Sequence, residues 1–222
     1  MFLYEISKLK NDLLEYFNII KDMFLWTTKL TEINKEELAK NINSRESQCN
    51  HYEVKIEENC IYAISQYAPK AQDLRLIITI LYINNFLERI GDHIVNISES
   101  ELFLYNNSTI ILPDFLGEEL EKMFSYTQQM LEESINAFID KDSNKAHKIC
   151  VKDKEINSLK KNLYQKLISK TIESPNLIEY ILHIERIINN LERIADLTTN
   201  LCEEIIFLYE GKIIKHHREE TL

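Results

Sequence analysis

The sequence predicts an all-α fold of six long helices, and three observations carry that prediction. Only 3 Gly and 3 Pro occur in 222 residues, where average usage would give about 27 of the two together. Apolar residues recur at spacings of three and four along almost the whole chain. The few breakers stand where those periodic stretches stop. Hairpin-rich sandwiches and barrels need far more turn glycines, and no glycine-rich phosphate loop can be assembled.

The first helix is read from Phe2 to about Leu30, with Ile6, Leu9, Leu13, Phe17 and Ile20 on one face. A polar break at Thr31 to Lys35 precedes a second helix from about Glu36 to Ala68. Pro69 stops it and opens a third, from Pro69 or Lys70 to about Leu104, because a proline at a helix start loses no hydrogen bond. Tyr105 to Leu112 reads as a loop, and Pro113-Asp114 opens a fourth helix to about Ile139. After a break at Asp140 to Ser143, the fifth reaches about Ile172. Ser174-Pro175 forms an N-cap and first-turn pair for the sixth, which ends near Glu210 on Gly211. Gly91 and Gly117 are the only breakers inside predicted helices.

Composition narrows the class further. With 45% hydrophobic and 28% charged residues the chain is globular. Lys and Arg number 26 against 36 Asp and Glu, a net charge of −10, which argues against nucleic acid as a partner. Cys49, Cys60, Cys150 and Cys202 form no CxxC and no disulfide framework. The start, MFLYEISKLKNDLLEY, lacks a basic region followed by an apolar stretch. The apolar-looking run Leu76 to Ile83 is well short of the ~20 residues a membrane span needs. A soluble, cytoplasmic protein is expected.

The chain repeats itself. FLERIGDHIVNISES (86–100) matches NLERIADLTTNLCEE (190–204) at Leu87/Leu191, Glu88/Glu192, Arg89/Arg193, Ile90/Ile194, Asp92/Asp196, Asn96/Asn200 and Glu99/Glu203, a constant offset of 104. Pro69 and Pro175 correspond as well. Two tandem pseudo-symmetric three-helix bundles follow, over residues 1–105 and 106–222.

The repeated residues define the candidate site. Glu88, Asp92 and Asn96 fall at i, i+4 and i+8, and Glu192, Asp196 and Asn200 repeat the row. Asn85 and Asn189 extend each row by a turn. Like charges one turn apart cost a helix roughly 0.2–0.5 kcal/mol, and a cation between them reverses that sign. The oxygen-only donor set suits a hard metal: Mg²⁺, Mn²⁺, Ca²⁺ or oxygen-ligated iron. A single acid-x-x-x-Asp is usually a solvated face, but here both copies keep the acids and the asparagine. The second helix of each unit carries an echo, Glu46-x-x-x-Asn50 and Asp153-x-x-x-Asn157, able to complete the ligand set. Arg89 and Arg193 read as structural salt bridges, and Gly91 with Ala195 as a place of close helix approach. No histidine follows a Glu by three residues, so the Glu-x-x-His signature of di-iron bundles is missing. His216-His217 read as a solvated tail.

LERIGD (87–92) and LERIAD (191–196), with YAPKAQDLRLI leading into the third helix and IIFLYEGK closing the sixth, resemble the PhoU family of phosphate-transport regulators. That resemblance implies paired three-helix bundles and a metal site on acid-x-x-x-Asp motifs, which Glu88/Asp92 and Glu192/Asp196 match. The implied metal is an iron or zinc cluster, or Mg or Mn. Asn50 and Asn157 stand where an Asp ligand is expected, and Leu177-Ile178-Glu179 replaces Asp73-Leu74-Arg75 in the second unit. The implied function is non-enzymatic restraint of phosphate uptake and phosphate-starvation signalling. The implied partners are the ATPase of the phosphate ABC transporter and its sensor histidine kinase, with homodimers expected. Two alternatives stand beside it: a metal-free adaptor whose acidic faces bind a basic partner, and a carboxylate-metal phosphohydrolase.

Overall fold

A computed structural model describes residues 1–28, 35–107 and 114–211. Six helices span them: α1 Phe2–Thr28, α2 Lys35–Tyr67, α3 Gln72–Asn107, α4 Asp114–Asp140, α5 Ser143–Glu173 and α6 Ile178–Glu210. The predicted breaks at 31–34 and 108–112, Pro113 and the His216-His217 tail lie outside the described residues.

Two helix starts differ from the sequence reading. The third helix begins at Gln72, not at the proline. Residues 68–71 make a tight connection instead, with Ala68 and Ala71 in the left-handed region at φ 44° and 48°. Neither alanine announces such a backbone, which normally favours glycine. The sixth helix is entered through one 3-10 turn, Pro175–Leu177. At its far end Gly211 adopts φ 72° and donates its N–H to Phe207 O. α3 also runs two residues past the 105 boundary, so Tyr105–Asn107 are helical.

Buried positions explain the arrangement. In α2 they fall at Ile42, Cys49, Ile56, Cys60 and Ala63, a narrow stripe at spacings of seven, four and three with polar flanks. α3 and α6 bury broader faces, because each packs within its own half and against the other half. α1, α2 and α3 pack together, as do α4, α5 and α6, and the antiparallel α3–α6 pair joins the two units. Phe103 stacks on His183 at one end of that seam, with centroids 3.7 Å apart. At the other end Arg75 lies over the Phe207 ring. α1 also meets α4, where Phe24 and Phe124 approach to 6.2 Å. The buried residues of both halves form one continuous apolar cluster.

All four cysteines are buried and free. Among the described residues no helix is long and apolar enough to cross a membrane.

Candidate functional site

In the first half, α3 presents Glu88 half-buried and Asp92 exposed, one turn apart. Burial raises the Glu88 carboxyl above its ordinary value. Asp92 and Glu53 add to the effect through their charges, as does a hydrogen bond between the Glu88 and Asp92 carboxyls, with Arg89 opposing. Glu53 belongs to α2. It is held beside α3 because Asn84, one turn before Glu88, donates from Nδ2 to the Glu53 carbonyl at 2.9 Å. Beneath the acids α1 supplies Tyr16, 0% exposed, whose hydroxyl has no hydrogen-bond partner. Burial and the charges of Cys49, Glu53, Glu88 and Asp92 push its pKa up. Lys55, the nearby cation on α2, is engaged elsewhere, 2.7 Å from Asp12.

The second half places the corresponding acids among partners. Lys160 Nζ of α5 stands 3.1 Å from Glu192 Oε1, the two side chains being 21% and 15% exposed. Arg193 Nη1 reaches Asp196 at 3.4 Å, which is the structural salt bridge expected of it. Asn157 Nδ2 donates to Asp153 Oδ2 at 2.7 Å. The Tyr164 hydroxyl lies 2.8 Å from Glu185 Oε1 and 2.6 Å from Asn189 Oδ1, with one hydrogen to donate between them. Burial raises the Asp196 carboxyl, helped by Glu192 and Asp153 and opposed by Arg193 and Lys160.

The asparagines do not extend the acid rows. Asn96 accepts from Arg186 Nη2 across the α3–α6 seam, the same guanidinium that holds Glu99 at 2.8 Å. Next to it His93 Nδ1 donates to Asn190 Oδ1 at 2.8 Å. A helix turns about 100° per residue, so each i+4 step drifts by about 40°. Two steps carry Asn96 from the Glu88 face round to α6, and Asn200 is exposed. Glu46 is half-buried and acts on Cys49. Asp153 does face Asp196.

Gly91 behaves as expected of a close-packing position: a Cβ there would meet Ile20 Cδ1 at 3.1 Å. Its counterpart Ala195 is fully buried.

The PhoU-domain family model matches residues 13–100 and 120–205, one copy for each half and both acid rows inside them. The chain belongs to the PhoU family. It is 31% identical to the phosphate-specific transport system accessory protein PhoU homolog 1 of Thermotoga maritima, over 95% of this chain and 90% of that one. It is 30% identical to the PhoU homolog of Aquifex aeolicus, covering 96% and 94%. The crystal structure of PhoU from Pseudomonas aeruginosa superposes with a TM-score of 0.89 at 27% identity, over 96% of this chain and all of that one. The phosphate transport system regulatory protein PhoU from Streptococcus pneumoniae gives 0.85 at 26% identity, over 96% and 99%.

For a PhoU chain the acid faces invite a test of metal fit. Among the described residues no group of three or more His, Cys, Asp or Glu stands close enough together to hold a metal ion. The first half offers two carboxylates on α3, Glu88 and Asp92, with the Glu53 carboxylate of α2 acting on Glu88. Its acids are mutually repelling, and Tyr16 leaves an unpartnered hydroxyl beside them. In the second half the acids stand beside Lys160, Arg193 and Asn157, while Glu192 Oε2 is buried without a hydrogen-bond partner. The residue missed by sequence reasoning is Glu53. The offset of 107 that aligns Glu46 with Asp153 also aligns Glu53 with Lys160, so extending the repeat by two helical turns would have found both.

Proposed function

We propose that this PhoU-family chain is a non-enzymatic regulator of phosphate uptake and of phosphate-starvation signalling, acting in the cytoplasm by protein contact. Its partners on this reading are the ATPase of the phosphate ABC transporter and the sensor histidine kinase, and it works as a homodimer. The observation that carries the reading is whole-length likeness. Relatives described as phosphate-specific transport system accessory proteins align over nine-tenths or more of both chains. Long packed helices with charged outer faces suit a docking platform better than a catalytic cleft. An open cleft of about 600 Å³ lined by Glu119, Lys166, Lys170 and Glu173 contains none of the acid-row residues.

In this reading Glu88 and Asp92, with Glu53 behind them, hold a hydrated divalent cation, Mg²⁺ or Mn²⁺. Such an ion would neutralise the face and present water ligands to a partner. The chain's own residues set that face: Asn84 fixes α2 at Glu53, and Arg89 limits the repulsion on Glu88. A metal-free adaptor is favoured for the second half, where the acids are already ion-paired.

The test is capture of the tagged chain from its own cells, paired with phosphate uptake in a strain lacking it. Co-purification of the transporter ATPase and uptake that rises on deletion and returns on complementation are expected. No ATPase in the eluate together with unaltered uptake refutes the proposal, and turnover of a generic phosphoester by the pure chain would favour a phosphohydrolase.

A further inference from the structure

On the outer side of the α2–α3 pair, apolar side chains stand in the open. Val54 and Ile61 of α2 are 52% and 57% exposed, and Leu74 and Tyr82 of α3 are exposed as well. Val54 and Ile61 lie two turns apart on one side of α2, opposite the buried Ile56 and Ala63. The register of the two helices is set by Asn84 Nδ2 on the Glu53 carbonyl at 2.9 Å and by Cys60 Sγ 3.9 Å from the Ile77 carbonyl. Residues 53–60 therefore run alongside residues 84–77, and half-buried Ile78 and Leu81 complete the strip. Carboxylates edge it, since Glu57 and Glu58 are both exposed between Val54 and Ile61. The nearby bases are engaged: Lys55 holds Asp12 at 2.7 Å, Arg75 lies over Phe207, and Arg89 acts on Glu88.

The second half folds the same helix pair without this strip. At the offsets of 107 and 104, Ile61 and Leu74 return as Ile168 and Ile178, both exposed. Val54 and Tyr82, however, return as Lys161 and Arg186, and Glu57 and Glu58 return as Tyr164 and Gln165. An exposed lysine, and an arginine paired with Glu99, serve the fold in those places. The apolar character of Val54 and Tyr82 is therefore not what packing α2 on α3 requires. A contiguous apolar strip on a surface, rimmed by polar residues, marks a contact site.

We infer that this strip, from Val54 to Ile61 on α2 and from Leu74 to Tyr82 on α3, docks an amphipathic helix of a partner protein that carries Lys or Arg at its margin. This rests on the adaptor reading above and goes beyond it by naming the face and the chemistry of what covers it. The dimensions fit, because Val54 and Ile61 stand about 10 Å apart along α2, the rise of two turns of a helix laid against it. Apolar anchors one and two turns apart are how a helix reads such a groove. Charge selects the occupant. Basic side chains meet Glu57 and Glu58, whereas a second copy would set the same carboxylates against each other, and an anionic bilayer would repel them.

The experiment is fluorescence anisotropy of a labelled peptide made only of Leu and Lys, patterned as an amphipathic helix, titrated with the full chain in chelator at physiological salt. Saturation at one peptide per chain is expected, and a scrambled peptide of the same composition should not bind. Val54→Lys/Tyr82→Arg gives the first half the residue types the second half carries, and should weaken binding about tenfold or more. Lys161→Ala should leave it unchanged. Circular dichroism checks the fold, and Glu57→Gln/Glu58→Gln carries the same test should the first double variant fail to fold. No binding by the wild type, equal binding of the scrambled peptide, or equal binding by the double variants would overturn the docking face. So would wild-type dimers in sedimentation that Val54→Lys/Tyr82→Arg turns into monomers, or flotation with phosphatidylglycerol vesicles that this variant loses. Pull-down of the purified transporter ATPase separates this inference from the reading it rests on. Capture by the wild type and Val54→Lys/Tyr82→Arg alike would overturn the face and leave the adaptor reading standing. No capture by a wild type that binds the peptide would remove that partner and leave the face.

Discussion

Glu88 is repelled by Asp92 and by a third acid, Glu53, whereas Glu192 and Asp196 each hold a cation, Lys160 and Arg193. The two faces carry the same Leu-Glu-Arg-Ile-x-Asp string, so the string sets where the acids stand without setting their electrostatics. A single position on the neighbouring helix does that. The ends of the long helices teach the same lesson. Arg75 opens α3, lies over Phe207 and approaches its carbonyl at 3.4 Å, placing a positive charge at the C-terminal end of α6, where the helix dipole favours one. The equivalent residue opening α6 is Glu179, and the seam at that end is closed by Phe103 stacked on His183 instead.

The largest expected effect tests whether the halves are separable. Leu87 and Leu191 are equivalent and fully buried, and each replaced by Ala should cost about 2–5 kcal/mol. Because both belong to one apolar cluster, each variant should lower the whole denaturation curve in a single transition, followed by circular dichroism in urea. A biphasic curve with only one phase shifted would show that the halves unfold independently.

Next in size is the asymmetry at the helix ends. Arg75→Ala should destabilise the chain by about 1 kcal/mol through the lost cation at the end of α6. Glu179→Ala should change stability by much less. Equal thermal shifts for the two would remove the role assigned to Arg75.

The smallest effect separates the acid faces by pH, in chelator. The folded chain raises the Glu88 carboxyl above its ordinary value. Stability from that group is therefore complete below the ordinary value and is lost as pH rises through the folded one. Glu88→Gln should then stabilise the protein near pH 7 by a fraction of a kcal/mol, and the gain should fade near pH 4. Glu192→Gln deprives Lys160 of its partner and should give no such gain. The measurement is urea midpoints at the two pH values, and matching profiles for the two variants would erase the distinction between the faces.

Much of this was legible in the sequence. Helix count and order followed from periodicity and sparse breakers, since burial of one stripe per helix imposes the spacing directly. Glu88, Asp92, Glu192 and Asp196 were legible because the chain states them twice. The tight 68–71 connection was not, because two alanines at positive φ leave no compositional mark. Asn96 was misread because a row at i, i+4, i+8 ignores the drift of a helix that turns every 3.6 residues.

By itself, then, the sequence determined an all-α duplicated fold and two acid pairs, because periodicity and repetition are local properties carried by neighbouring letters. Tertiary structure alone decided which helix lies against each pair. Glu53 is 35 residues before Glu88, and Lys160 is 32 before Glu192. Only packing of α2 on α3 and of α5 on α6 puts a negative charge beside one acid pair and a positive charge beside the other, and charge acts through distance in space, not along the chain.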